Sequence, residues 1–240
     1  IKAGVKDGKV LLYAGYLRYD ANDFKGAVDG LTAAEVAGEK EDGVYEKRGK
    51  SSYQLKLYPA TIIDLEKVVQ KEKADLLTYE ALAFSYLQSQ KEKEAEPMLE
   101  KASSLDSKNK EVYFQLGNAR FKKENLKGAI ESYDKAVLLG ANDEVIYNNR
   151  GKAKLNAGMA QESVEDFNRS LTLKKDYIQA TKNRAAAKFQ LKDYPAVIAD
   201  EAIVISRNEA GAEDFAFSGL AKFNTKDYKG TVTDLTKAVD

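Results

Sequence analysis

Small residues recur along this chain at a fixed interval, with large apolar residues set between them on a second fixed register. Gly15, Gly49, Ala83, Gly117, Gly151, Ala185 and Gly219 each follow the last by 34 residues, with no insertion, and a period of this kind marks a repeat architecture. With that residue set at position 8, the units begin at Gly8, Asp42, Leu76, Lys110, Glu144, Ile178 and Ala212. Position 4 holds Leu11, Tyr45, Tyr79, Tyr113, Tyr147, Thr181 and Phe215, while positions 20 and 27 are mostly small, as at Ala129 and Ala136. Position 24 carries Leu31, Leu65, Leu99, Tyr133, Phe167 and Leu235, with Glu201 as the exception. Positions 4, 8 and 11 or 12 share one face of a first helix, and positions 17, 20, 21, 24, 27 and 28 share one face of a second. Each unit is therefore a helical hairpin.

The break between the helices falls near positions 13 to 16, where Asp20, Asn125, Asn156 with Gly158, Asp193 and Asp227 supply turn and helix-start chemistry. Pro59 and Pro195 sit in the first turn of a second helix, where a missing amide hydrogen costs little, whereas Pro97 lies deeper and is expected to shift or kink its helix. Five of the seven first helices carry glycine at position 8. Glycine inside a helix costs about 0.5–1 kcal/mol relative to alanine, so close approach of the second helix is the expected reason. A lone hairpin cannot cover its apolar faces, and stability must come from stacking neighbours. The units run 8–41, 42–75, 76–109, 110–143, 144–177, 178–211 and 212–240, the last incomplete, and residues 1–7 read as the end of a preceding unit with Ile1 in its apolar slot. No polar capping helix follows Asp240, so the natural protein is expected to continue in both directions.

The columns resemble those of the tetratricopeptide repeat, most clearly in the unit that reads Tyr113, Leu116, Gly117, Ala129, Tyr133 and Ala136. Two features depart from the family pattern: position 32 never holds proline, and the aromatic residue of the first helix usually stands at position 12 instead of 11. The resemblance implies an all-α fold, a right-handed superhelical solenoid of antiparallel hairpins, and a role in holding partner proteins.

Position 7, usually leucine in that family, is Arg48, Arg150 and Arg184 in three units, each with an aspartate at position 23 of its own unit: Asp64, Asp166 and Asp200. Units with Ala14, Leu82 or Leu116 at position 7 have no acid at position 23, and the last unit breaks the rule with Ser218 and Asp234. Because position 7 faces the second helix, an arginine–aspartate pair bridging the two helices is expected, in the bidentate geometry that suits guanidinium. Three arginines reading an acidic ligand is the functional alternative.

Composition narrows the chemistry. The 240 residues contain 38 Lys and Arg against 38 Asp and Glu, which leaves no overall field for nucleic-acid phosphate or an anionic membrane. No apolar run approaches the roughly 18 residues needed to span a bilayer. Cysteine and histidine are absent, which removes thiolate sites, imidazole ligands and the usual general base. With no P-loop, dinucleotide-binding glycine pattern or metal spacing, neither a cofactor nor catalysis is expected.

In tetratricopeptide superhelices the first helices line a concave groove, so the resemblance implies that positions 2, 5, 6, 9, 12 and 13 are available for contact. The first units offer Leu12, Tyr13, Tyr16, Tyr19, Lys47, Lys50 and Tyr53; the central ones offer Phe114, Asn118, Asn148, Asn149, Lys152, Lys182 and Asn183. Some family members clamp a peptide's terminal carboxylate with lysines and asparagines from three successive units. Here Asn118 and Asn149 occupy the two asparagine positions, but Phe114, Gln179 and Asn183 stand where basic residues belong. Carboxylate recognition is therefore not expected, while asparagine amides remain suited to an extended peptide backbone. The alternative is that Asn149 and Asn183 only accompany the arginine-bearing variant of the repeat. For the position-12 aromatics Tyr19, Tyr53, Phe121, Phe189 and Phe223, packing between adjacent first helices is favoured over a stacking ladder for a ligand. A non-catalytic protein-interaction scaffold is the leading expectation. Its alternatives are a structural segment of a bacterial envelope complex serving secretion, motility or outer-membrane assembly, and a non-catalytic region of an enzyme whose catalytic domain lies elsewhere.

Overall fold

A computed structural model describes residues 7–71 and 74–239. Apart from Asp7, the expected tail of a preceding unit, with Ile1, lies outside the described residues, as does Asp240. Among the described residues there are fourteen α-helices and no strand: α1 (Gly8–Asp20), α2 (Phe24–Val36), α3 (Asp42–Gln54), α4 (Tyr58–Val69), α5 (Leu76–Gln88), α6 (Glu92–Ser104), α7 (Lys110–Lys122), α8 (Leu126–Leu138), α9 (Glu144–Asn156), α10 (Ala160–Leu173), α11 (Ile178–Gln190), α12 (Tyr194–Ser206), α13 (Ala212–Asn224) and α14 (Tyr228–Val239). Odd-numbered helices start at position 1 of their unit and even-numbered helices at position 17. Pro97 lies inside α6 and leaves both boundaries of that helix in the common register.

The chain divides into two compact units, Ile1–Lys108 and Asn109–Asp240. Within each, every helix packs on the next in sequence, and the first helices also touch one another: α1 with α3 and α3 with α5 in one, α7 with α9, α9 with α11 and α11 with α13 in the other.

Position 24 anchors each hairpin. Leu31, Leu65, Leu99, Tyr133 and Phe167 are no more than 1% exposed, and they lie directly over position 8. A Cβ built on Gly117 would stand 2.6 Å from the Tyr133 ring, and one on Gly151 2.7 Å from the Phe167 ring, both inside van der Waals contact. Gly15 and Gly49 lie equally close under Leu31 and Leu65, so glycine is tolerated mid-helix because burying a large side chain against the bare backbone outweighs its helix penalty.

The turn inside every hairpin has one form. Position 15 is left-handed in all seven, at Asn22, Lys56, Gln90, Glu124, Gly158, Lys192 and Lys226, and the amide of position 16 donates to the carbonyl of position 11, as from Asn125 to Arg120 at 3.0 Å. This closes the first helix with a Schellman motif. The same residue then caps the next helix: Asp23, Asn125, Asp193 and Asp227 accept from the amides of Gly26, Gly128, Ala196 and Gly230 at 3.0, 3.0, 3.3 and 2.9 Å. Asp20 and Asn156, expected in the turn, are instead the last residues of α1 and α9. Asn125→Ala is expected to cost about 1 kcal/mol by removing the cap of α8, read as a shift of the urea midpoint with an unchanged slope.

Candidate functional site

The arginines of position 7 sit on first helices and the aspartates of position 23 on second helices, each one residue before the position 8 and 24 contact. Arg48 Nε and Nη2 each donate at 2.7 Å to the two oxygens of Asp64. Arg150 meets Asp166 in the same way at 2.9 and 2.5 Å, and Arg184 meets Asp200 at 2.9 and 2.6 Å. All three aspartates are buried. The remaining Nη1 reaches the second helix of the preceding hairpin: Arg48 donates to Glu35 at 2.6 Å, Arg150 to Asp134 at 2.8 Å and Arg184 to Asn168 at 2.7 Å. Each guanidinium thus ties three helices. The hydrogen bonds that Arg48 donates to Asp64 raise the Arg48 pKa above its ordinary value against the opposing effect of burial, and the hydrogen bond from Arg48 holds Glu35 below the usual carboxylate range.

A second cation joins two of these pairs from position 11. Lys154 stands 2.7 Å from Asp166 and Lys188 2.9 Å from Asp200. In the last hairpin, where position 7 is Ser218, the Asp234 carboxylate accepts from Lys222 at 2.5 Å and from the Ser218 hydroxyl at 2.6 Å. The apparent break in the arginine rule is therefore a change of partner. Lysine at position 11 was its visible signal, in place of the family's aromatic residue.

The asparagines form one hydrogen-bonded chain across α7, α9 and α11. Tyr133 Oη donates to Asn118 Oδ1 at 2.8 Å, and Asn149 Nδ2 donates to the same oxygen at 3.1 Å. Asn148 Nδ2 donates to Asn149 Oδ1 at 3.3 Å, Asn183 Nδ2 to Asn148 Oδ1 at 2.8 Å, and Gln179 Nε2 to Asn183 Oδ1 at 3.1 Å. Gln115 extends the other end, accepting from Asn118 at 3.4 Å. Burial raises the pKa of the Tyr133 phenol above its ordinary value, so it remains a donor. Asn118, Asn149 and Asn183 are half-buried and border solvent, but Asn148 is 4% exposed and is an internal link instead of an open contact.

The other surface residues divide similarly. Phe114 lines a cleft of about 260 Å³ with Lys110, Glu111, Ala141, Asp143, Val145 and Ile146. Lys152 is exposed, with its ammonium 5.5 Å from the Phe121 ring centre. Lys182 is committed, donating to Asp214 at 2.8 Å and to the Glu209 carbonyl at 2.6 Å. In the first compact unit, Leu12 and Lys50 are buried, not open; Lys50 lies between Glu46 at 2.5 Å and Asp75 at 2.8 Å. Tyr13, Tyr16, Tyr19 and Lys47 retain exposed surface, and Lys47 donates to Asp20 at 2.8 Å while its ammonium lies 4.4 Å from the Tyr19 ring centre. Tyr19 and Tyr53 line a cleft of about 280 Å³ with Phe24, Lys50, Leu77 and Glu80.

The position-12 rings mainly pair across the turn with position 17. Tyr19 meets Phe24 edge-on at 6.3 Å, Phe189 meets Tyr194 at 5.8 Å and Phe223 meets Tyr228 at 6.0 Å. Phe189 alone among these three also meets a ring of the adjacent first helix, Phe217 at 5.2 Å. The column thus packs both ways: the three-residue turn brings positions 12 and 17 together, while Lys47 over Tyr19, Lys152 over Phe121 and Phe217 against Phe189 are contacts from the adjacent first helix. Among the described residues no acidic cluster is arranged to hold a metal ion, and no helix is long and apolar enough to cross a membrane.

The sequence profile of the tetratricopeptide repeat matches three consecutive segments, residues 77–109, 110–142 and 145–177. Those three units are tetratricopeptide repeats. The chain's fold is that of solved tetratricopeptide proteins. YrrB, described as a tetratricopeptide protein with an unusual peptide-binding site, is 19% identical with a TM-score of 0.64 over 73% of this chain and 91% of that one. The C-terminal part of a tetratricopeptide repeat-containing protein from Cytophaga hutchinsonii is 16% identical with a TM-score of 0.62 over 95% of this chain and 94% of that one. MamA is 20% identical with a TM-score of 0.60 over 66% and 92%. No curated protein matches the chain by sequence. Tetratricopeptide repeats generally serve as scaffolds for protein interaction, and the matched repeats support that general role.

Proposed function

We propose that the first-helix face of α7, α9 and α11 holds an extended segment of a partner protein. The carboxamides of Asn118, Asn149 and Asn183 pair with its backbone, and one of its apolar side chains seats against Phe114, Val145 and Ile146. The observation that carries this reading is the amide chain running across three first helices at the edge of solvent. A carboxamide offers two donors and an acceptor with two lone pairs, so a peptide group can take the place of a neighbouring amide without leaving a polar atom unpaired. Phe114, standing where carboxylate-clamping relatives carry lysine, favours an apolar anchor, and its cleft sets Ala141, Val145 and Ile146 beside it, with Lys110, Glu111 and Asp143 completing the lining. Lys152 lies at the margin for contact with a carbonyl or an acidic side chain. Likeness to YrrB, a tetratricopeptide protein with a peptide-binding site, supports the same class of ligand.

The test is selection of binders from a random peptide library on the intact chain, followed by titration of the selected peptides against Asn149→Ala and Phe114→Ala. Each variant is expected to weaken binding about tenfold, equivalent to about 1.4 kcal/mol, with thermal melting used to confirm that the variant is folded. Peptides that bind both folded variants as tightly as the original chain would exclude this face.

A further inference from the structure

At position 24, where the other units place leucine, tyrosine or phenylalanine, α12 places Glu201. The side chain has no exposed surface, and neither carboxyl oxygen meets a hydrogen-bond partner. Among the described residues these are the only buried side-chain oxygens or nitrogens left unpaired. An ionised carboxylate so placed is strongly disfavoured relative to water, and such groups keep their proton instead.

The charges that face Glu201 reinforce this. Asp214 and Glu213 from α13 and Asp200 from α12 itself oppose its ionisation, while Lys182 from α11 favours it. Lys182, however, already donates to Asp214 and to the Glu209 carbonyl, and Asp200 is held by Arg184 and Lys188. No partner is therefore poised to receive the charge if Glu201 loses its proton in place.

We propose that Glu201 makes the packing of α12 against α11 and α13 a proton-controlled joint. With the proton on, the carboxyl stays inside and the α13–α14 hairpin remains docked on α12. With the proton off, the carboxylate draws water into the contact and the hairpin loosens. A cleft of about 380 Å³ lined by Gln179, Lys182, Asn183, Asp214 and Phe217 spans α11 and α13, so loosening removes one of its walls. This inference does not depend on the peptide reading of the amide chain.

Burial, with Asp214 adding to it, pushes Glu201 up from 4.5 to about 8. Its folded-state value thus lies above its unfolded one, and the folded chain keeps a proton that the unfolded chain gives up. The stability from this group is fully present below about pH 4.5, falls as pH rises toward 8, and is constant above that.

The test compares the original chain with Glu201→Leu, which installs the residue of four other units, and with Glu201→Gln, which keeps the shape but has no proton to lose. Melting temperature is followed from pH 5 to 9, together with amide exchange in α13 and α14 corrected for its intrinsic pH dependence. Between those limits the original chain is expected to lose about 5–10 °C more than either variant, and its α13–α14 exchange is expected to accelerate where theirs does not. Melting profiles of the same slope in all three proteins would overturn the joint. So would an acceleration in the original chain spread evenly over α7 to α14.

Discussion

Replacing Asp166 with alanine is expected to lower the free energy of unfolding by about 3–5 kcal/mol, the cost of stranding buried charge that has lost its partner. Asp166 is 4% exposed and accepts two hydrogen bonds from Arg150 while Lys154 stands 2.7 Å away. Alanine leaves two cations facing an apolar hairpin core, and only Arg150 retains a second acid, the exposed Asp134. Removing Arg150 alone should cost less, because Lys154 still compensates Asp166. In a double-mutant cycle on Arg150 and Asp166, followed by urea unfolding, the two losses should therefore fall short of additive by at least 1 kcal/mol, within the roughly 0.5–3 kcal/mol range of contacting pairs. Additive losses would mean that the bidentate contact contributes nothing of its own. Asp234→Ala provides an internal comparison: it strands one lysine and a hydroxyl instead of a guanidinium and a lysine, and should cost less than Asp166→Ala.

The second large effect is expected at Phe167. Its ring is fully buried and covers Gly151, so Phe167→Ala should cost about 3–5 kcal/mol through lost burial and the cavity left behind. The sharper form of the test is compensation. Gly151→Ala alone forces its new methyl into the ring and should cost about 1–3 kcal/mol. Phe167→Leu alone leaves a gap. Made together they recreate the alanine and leucine that unit 76–109 carries at Ala83 and Leu99, and the pair should cost clearly less than the sum of the single changes. Strict additivity would mean that positions 8 and 24 do not set each other's size.

These two contacts were legible in the sequence for the same reason. Each couples two columns of the repeat, small over large at positions 8 and 24, arginine with aspartate at positions 7 and 23, and a coupling repeated in several units stands out against substitutions that occur once. Features supported by backbone geometry or by flexible side chains did not stand out. The left-handed residue at position 15 is lysine, glutamine or glutamate in five of the seven turns, residue types that give no indication of positive φ, because the Schellman bonds around it supply the stabilisation. Lysine at position 11 reads as a solvated charge until its four-carbon stem is placed over the position-23 acid.

The candidate face was legible only in part. Position 5 reads as exposed on a helix considered by itself, yet Leu12 and Asn148 are buried there. Whether that position reaches solvent depends on the side chain of the adjacent first helix: Asn183 extends from α11 to bond Asn148 on α9. Glu201 was visible as the one exception in its column, but its missing hydrogen-bond partners became apparent only from the groups around it.

Amide exchange of the intact chain, with and without a peptide selected from the library, tests the proposed binding face most directly. Exchange should slow in α7, α9 and α11, and by less in α8, α10 and α12. Slowing confined to the second helices, or to residues 7–71, would contradict the assignment of this face to partner binding.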